Sequence, residues 1–253
     1  MALSRHVRSL RISVALVAAL GFAAPAAAVE DPAKPAVTVS GEIDVNSHYV
    51  WRGIAFSSGM VVNPSLTWAW KDLSLNAWAN FDRDLHQPHA LNEVDWTLGW
   101  SRSIAGIDLK PSAMIYTYPQ TGVPSTAELQ MEIGHALVGP LSTYTRQSVD
   151  VREFRGAAFS TGGLACELPA WRAFTVSAHG EYGRGWWRFA KAYASPQLEG
   201  LNVLNAGMSA DVAMGGFTLR PHVDWYQVGN AAVRDQITGS TPFVWGIALD
   251  GDF

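Results

Sequence analysis

The 253-residue chain carries 18 Lys and Arg against 22 Asp and Glu, a net charge of −4 that argues against a nucleic-acid partner, which needs a basic surface. Only 16% of the residues are charged, below the roughly 25% of soluble globular chains, yet there are 11 tryptophans and a single cysteine. A lone cysteine excludes an intrachain disulfide and a cysteine-based metal cluster, and no apolar run after the N-terminus is long enough for a transmembrane helix.

The N-terminus reads as a removable export signal. Arg5, Arg8 and Arg11 form a positive head, Ile12 to Phe22 is apolar, and Ala26-Ala27-Ala28 offers an A-x-A cleavage site. The apolar run is shorter than the roughly 20 residues a spanning helix needs, and no cysteine follows it to mark a lipoprotein. Cleavage after Ala28 leaves 15 basic against 22 acidic residues, a net charge of about −7. The expected organisation is a signal peptide over 1–28, a short periplasmic linker over 29–36 with two prolines, and one domain over 37–253.

That domain alternates. Over 37–52, Val37, Val39, Ile43, Val45, Tyr49 and Trp51 share one face, and Ser40, Glu42, Asp44, Asn46, His48 and Arg52 share the other. Period two with this split is a strand, and it places Tyr49 and Trp51 in an interfacial aromatic girdle. The same split recurs from Leu73 to Asp82, Glu93 to Ser101, Glu128 to Gly134, Phe174 to Tyr182 and Phe217 to Trp225. Less regular strands are expected over 61–70, 107–118, 141–150 and 156–167. Another, over 201–213, is ambiguous in register around Leu204-Asn205. The last, with Phe243, Trp245, Ile247 and Leu249 on one face, stops on Phe253, which reads as an assembly signal.

Connections alternate long and short along the chain, with two of intermediate length near Val151–Arg155 and over Pro169–Arg172. Gly53–Met60 is long and Lys71-Asp72 short; Arg83–Ala90 is long and Ser103–Gly106 short; Gln227–Thr241 follows a short Met214-Gly215-Gly216. Short periplasmic turns and longer outer loops are the rule for outer-membrane barrels. The fold expected is all-β: a closed, antiparallel, up-and-down transmembrane β-barrel of about twelve strands. A soluble sandwich also buries one strand face, but strand length, loop asymmetry and the terminal aromatic favour the barrel.

Tyr49-Val50-Trp51-Arg52-Gly53-Ile54, followed by Ser57, Ser58 and Pro64, resembles the start of the TorF family of porins, whose members show an aromatic-x-aromatic-Arg-Gly strand end and then a serine-bearing loop. Tyr116-Thr117-Tyr118-Pro119, Glu128, Pro140 and Tyr144 are similar later landmarks. The resemblance implies an outer-membrane barrel with a porin-like role and names no solute. Gly251 departs from the usual assembly signal, because it stands at the apolar position two before Phe253.

Strand parity points Glu42, Asp44, Arg52, Glu93, Asp95, Glu128, Glu132, Glu181, Arg220 and Asp224 into the lumen. Inward charges either select solutes or pair with one another and brace a plugged interior. A barrel of about twelve strands is narrower than the 16-stranded open porins, so the expected function is passive diffusion of small hydrophilic solutes through a narrow charged lumen. The expected partners are outer-membrane lipids, the outer-membrane barrel-assembly machinery and those solutes, with no cofactor and no metal.

Two rivals stand beside it. One is a lipid-modifying enzyme of the outer membrane. Ser177, His179 and Glu181 share one strand face, but neighbours there are roughly 6.5–7 Å apart along the strand, and no G-x-S-x-G elbow or H-E-x-x-H motif is present. No catalytic residue is therefore assigned. The other rival is a closed structural or adhesive barrel presenting its loops. Arg184, Trp186, Trp187, Arg188 and Lys191 begin one of these, as a girdle with snorkelling cations or a site for sugar or lipid headgroups. His86 and His89 lie in another loop and read as a solvated pair.

Overall fold

The computed structural model describes residues 37–57, 59–82, 90–119, 121–171, 173–229, 234 and 243–253. The signal peptide, the linker, His86 and His89 lie outside the described residues, as does most of the Gln227–Thr241 loop.

Twelve long strands follow one another: β1 (Thr38–Asn46), β2 (Val61–Trp70), β3 (Leu73–Asp82), β4 (Leu91–Trp100), β5 (Ile107–Thr117), β6 (Thr126–Ala136), β7 (Leu141–Asp150), β8 (Ala158–Glu167), β9 (Phe174–Gly185), β10 (Leu201–Met214), β11 (Phe217–Val228) and β12 (Phe243–Asp252). Each pairs antiparallel with its chain neighbours, and β1 pairs with β12, with Ile43 opposite Leu249, so the sheet closes on itself without a free edge. Closure satisfies every wall strand's backbone groups, which a sheet surrounded by hydrocarbon requires. The arrangement is the closed, up-and-down antiparallel barrel that the alternation implies.

Strands run from nine to 14 residues, matching the roughly 9–11 that a tilted transmembrane strand needs. Pro111 of β5 has no N–H to donate. Its partner strand breaks beside it and resumes as Arg102–Ile104, in the same register as before. β10 shows no slip at Leu204-Asn205: it keeps one register with β9 from end to end, Phe174 opposite Val212 and Gly185 opposite Leu201. Leu204 faces out and Asn205 is buried inside.

The outer face is apolar and uncovered. Ile43, Trp68, Leu75, Trp96, Leu98, Ile133, Leu164, Met208 and Trp245, drawn from strands all round the wall, are exposed. A belt of that extent is far larger than the apolar patches monomeric soluble proteins leave in water. Cys166 is a free thiol in the wall.

The first strand is shorter than its alternation suggests. β1 ends at Asn46, and Ser47 makes the last wall contacts, its N–H donating to Trp245 O and its hydroxyl oxygen accepting from Trp245 N. Val50–Trp51 and Ile54–Ala55 then pair as a separate two-stranded hairpin. The expectation that Tyr49 and Trp51 belong to a lipid-facing girdle is thereby corrected, because both rings pack among other aromatic rings at the loop end of the barrel interior. The 187–194 segment is also not a girdle throughout. Trp186 and Trp187 are exposed, but the helical turn Trp187–Phe189 and the π-helical turn Ala190–Ala194 deliver Phe189 and Ala190 to a core where both are fully buried.

Candidate functional site: a lumen constricted from the loop end

The inner hairpin is built by its turn. Arg52 and Gly53 both take positive φ, 51° and 79°, the two-residue geometry that matches strand twist. Gly53 is needed twice over: its backbone is left-handed, and an added Cβ would sit 2.7 Å from Val203 Cγ2. At the hairpin's base, Tyr49 N–H donates to Ser57 Oγ at 2.6 Å, and the Ser57 hydroxyl donates to Gly59 O at 3.0 Å.

Arg52 stands at the tip in a backbone region that non-glycine residues avoid. Its guanidinium donates twice to Glu128, Nη1 to Oε1 at 2.8 Å and Nη2 to Oε2 at 2.7 Å. The Tyr116 hydroxyl donates to the same carboxylate at 3.1 Å. The guanidinium also lies 4.2 Å from the Trp51 ring centroid and 5.0 Å from that of Phe159. Arg52 is therefore a tie between hairpin and wall and not a free charge in open water.

Against this hairpin packs the second inward element. Phe189 meets Trp51 at 5.6 Å, Phe159 at 4.9 Å and Tyr193 at 4.9 Å between ring centroids. Ile54, Leu201, Val203 and Val228 complete an apolar core inside the barrel. Asp150, itself fully buried, anchors the neighbouring rim by accepting from Thr126 Oγ, Arg152 N, Phe154 N and the Tyr193 hydroxyl. Burial and the Asp150 carboxylate push the Tyr193 hydroxyl well above its ordinary pKa, so it remains a donor.

Below the hairpin the interior is polar. Glu132 accepts from Lys110 at 2.9 Å and from Arg146 at 2.6 Å. Arg220 gathers Asp211 at 2.6 Å, Glu42 at 3.3 Å and Asp250 at 3.4 Å. His222 sits between Asp44 (3.0 Å) and Asp224 (3.8 Å), and His179 contacts Asn205 (2.8 Å) and Asp224 (3.3 Å). Glu181 accepts from the Tyr144 hydroxyl at 2.6 Å. Glu93 and Asp95 lie on β4, and no Lys, Arg or His forms an ion pair with either among the described residues.

Parity brings the sequence-derived wall residues onto one inner surface, in separate clusters, while Arg52 reaches that surface from the tip of the inner hairpin and not by strand parity. Arg52 and Glu128 belong to the constriction, with Glu93 and Asp95 beside it. Glu132 belongs to a Lys-Glu-Arg triad, Glu42, Asp44, Arg220 and Asp224 to an Arg-His-carboxylate network, and Glu181 is held by the Tyr144 hydroxyl. Lys110, Arg146, Asp211, His222 and Asp250 share the lumen parity and were missed, although alternation in β5, β7, β10, β11 and β12 carried the signal. Trp51, Phe159, Phe189 and Tyr193 were missed as lumen residues because an apolar side chain gives no local sign of which side of a wall it meets.

Cavities flank the hairpin. One of about 420 Å³ opens at the loop end among Tyr49, Trp51, Tyr116, Tyr118 and Glu93. A second of about 250 Å³ lies beneath, among Arg52, Arg146, Glu181 and Asn205. Two more, about 250 Å³ and about 650 Å³, share Glu42 and lead to the end that holds the short turns. His179 is engaged by Asn205 and Asp224 and is not hydrogen-bonded to Ser177. Among the described residues there is no cluster of His, Cys, Asp and Glu fit to hold a metal.

No protein-family model matches the chain, and no curated protein matches it. Solved structures do. The KdgM porin aligns with a TM-score of 0.54 at 10% identity, covering 85% of this chain and 99% of that one. A structure of the KdgM porin in complex with disordered oligogalacturonate gives 0.51 at 8% identity, over 85% and 99% of the two chains. The NanC porin gives 0.51 at 10% identity, over 86% and 100%. At such identities the likeness establishes the architecture: this chain has the closed twelve-stranded barrel fold of porins.

Proposed function

We propose that the protein is an outer-membrane porin of narrow bore, exported by its N-terminal signal, through which small hydrophilic solutes diffuse passively. One observation carries this reading: below the apolar core at the loop end, a polar, charged interior lies inside a wall whose outer face is apolar. Such a wall is suited to lipid and such an interior to water and solute. The TorF-like motif supports the same reading, since its aromatic-x-aromatic-Arg-Gly segment forms the hairpin that narrows the lumen.

The lumen's charge favours small cations and neutral polar solutes over polyanions. Glu42, Asp211 and Asp250 share one arginine, Glu128 uses up Arg52, and Asp44 and Asp224 have only histidines. Oligogalacturonate, the polyanion named for one porin of this fold, is poorly matched to such an interior.

Single-channel recording of the refolded mature chain in a planar bilayer under a salt gradient tests the proposal. Discrete steps with a cation-preferring reversal potential are expected. A correctly inserted barrel that gives no steps would replace it with a second reading, a closed structural barrel, for which the apolar core inside the lumen is the motivating observation.

A further inference from the structure

The loop-end cavity is built unlike the rest of the lumen. Its walls are the rings of Tyr49, Trp51, Phe56, Tyr116, Tyr118 and Tyr193, and the carboxylate of Glu93 stands among them. Glu93 is 8% exposed. Tyr49 lines the same cavity, and among the described residues no Lys, Arg or His forms an ion pair with Glu93. Asp95 lies two residues further along the same strand face, and its Oδ1 is buried without a partner. Asn92, on the cavity wall, buries an Oδ1 that is likewise unpartnered. Comparable groups nearby are satisfied: Glu128 by Arg52 and Tyr116, Asp150 by four donors. Buried acceptors without donors carry a desolvation cost, larger when charged; here one such atom, Asn92 Oδ1, lies on the wall of a cavity that also holds the Glu93 carboxylate, and a second, Asp95 Oδ1, lies beside it.

The unmet need is for N–H donors and positive charge. Ring faces supply a second attraction of the same sign, because an aromatic quadrupole favours a cation over its face. The competing ligand classes fit less well. An anion would meet Glu93, with Asp95, Glu128 and Asp150 close behind. A sugar needs donors and acceptors for many hydroxyls, but the Tyr116 and Tyr193 hydroxyls are committed to Glu128 and Asp150. Thr121 is committed to Tyr118 O and Val123 N.

We infer that this cavity is a binding site for a protonated organic amine with a small apolar body, its ammonium on Glu93 and Asn92 and its body against the rings. The inference deepens the channel reading, on which it rests only in taking the bound amine to be a solute on its way through.

The test is isothermal titration of phenethylammonium into the refolded mature barrel in detergent, with empty micelles as reference. Its neutral analogue 2-phenylethanol is titrated alongside. The wild-type barrel is expected to bind the amine at least 10-fold more tightly than the alcohol. Glu93→Gln removes the charge while keeping a side chain of the same shape, and is expected to remove that preference while leaving alcohol binding unchanged. Tyr118→Ala, outside the wall strands, is expected to weaken the amine several-fold, which guards against a misfolded Glu93 variant. No amine preference in the wild type, or one that survives in folded Glu93→Gln, overturns the inference, as does tighter binding of a neutral oligosaccharide such as maltotriose. Bilayer conductance on the same preparation separates the two proposals. Steps without an amine preference sink the site and keep the channel; an amine preference without steps keeps the site and sinks the channel.

Discussion

Arg52 and Glu128 are a buried pair, 12% and 0% exposed in their side chains, and removing one partner is worse than removing both. Arg52→Met leaves a carboxylate in the apolar constriction with no counter-charge, a change expected to cost about 3–5 kcal/mol. The double variant Arg52→Met with Glu128→Gln is expected to recover most of it, as read by urea unfolding in lipid vesicles. Equal losses in the single and double variants would show that the arginine is not there to balance Glu128. In conductance, the single variant is expected to shift selectivity toward cations, since Glu128 then acts alone on the pathway; an unchanged reversal potential would remove the pair from the pore. Gly53→Ala is a second test at this scale. Positive φ and a methyl pressed against Val203 are together expected to cost more than about 1 kcal/mol, and a variant as stable as wild type would mean the hairpin is loosely held.

At the scale of elements, the inward hairpin and the 187–194 turn hold each other through Trp51, Phe189 and Tyr193. Truncating Phe189 to Ala removes the ring at their junction and is expected to cost about 3–5 kcal/mol. It is also expected to raise single-channel conductance, because the same ring narrows the lumen; an unaltered conductance would place the pathway elsewhere. In the lumen triad of Lys110, Glu132 and Arg146 cations outnumber carboxylates. Glu132→Gln frees both cations, so its reversal potential is expected to move toward anions, and a move toward cations would contradict the assigned geometry. Neither element was legible in the sequence as a constriction. Alternation through residue 52 continues smoothly past Asn46, whereas the last wall contact is that of Ser47 with Trp245, nearly 200 residues away in the chain, after which the chain turns into the inner hairpin.

For the whole molecule, closure converts a local pattern into a lumen. Every wall strand presents apolar residues outward whichever strand lies beside it, so period two implied the strands and the inward parity of the wall charges, and strand length, loop asymmetry and the terminal aromatic turned that pattern into a barrel. The turn signals did the same for the short connections, since positive φ at Lys71, Ala105 and Gly106 is a local matter. Three things depended on the folded ring. One was the fate of Tyr49, Trp51 and Phe189: an aromatic ring gains from lipid or from other rings alike, and only closure set β1's exit opposite β6 and β8. Another was the inward placement of Phe159, Leu201 and Val203, which look like lipid-facing residues until a plug packs on them. The last was the pairing of charges. Parity puts Arg220, Glu42 and Asp250 on one surface, but only the registers of β11 with β12 and of β12 with β1 bring them within reach of one guanidinium. Local periodicity therefore determined the wall and its two faces, because each residue's side is set by its immediate neighbours. The tertiary structure decided what fills the lumen and which charges stay free there, because those contacts join segments far apart in the chain that meet only when the sheet closes.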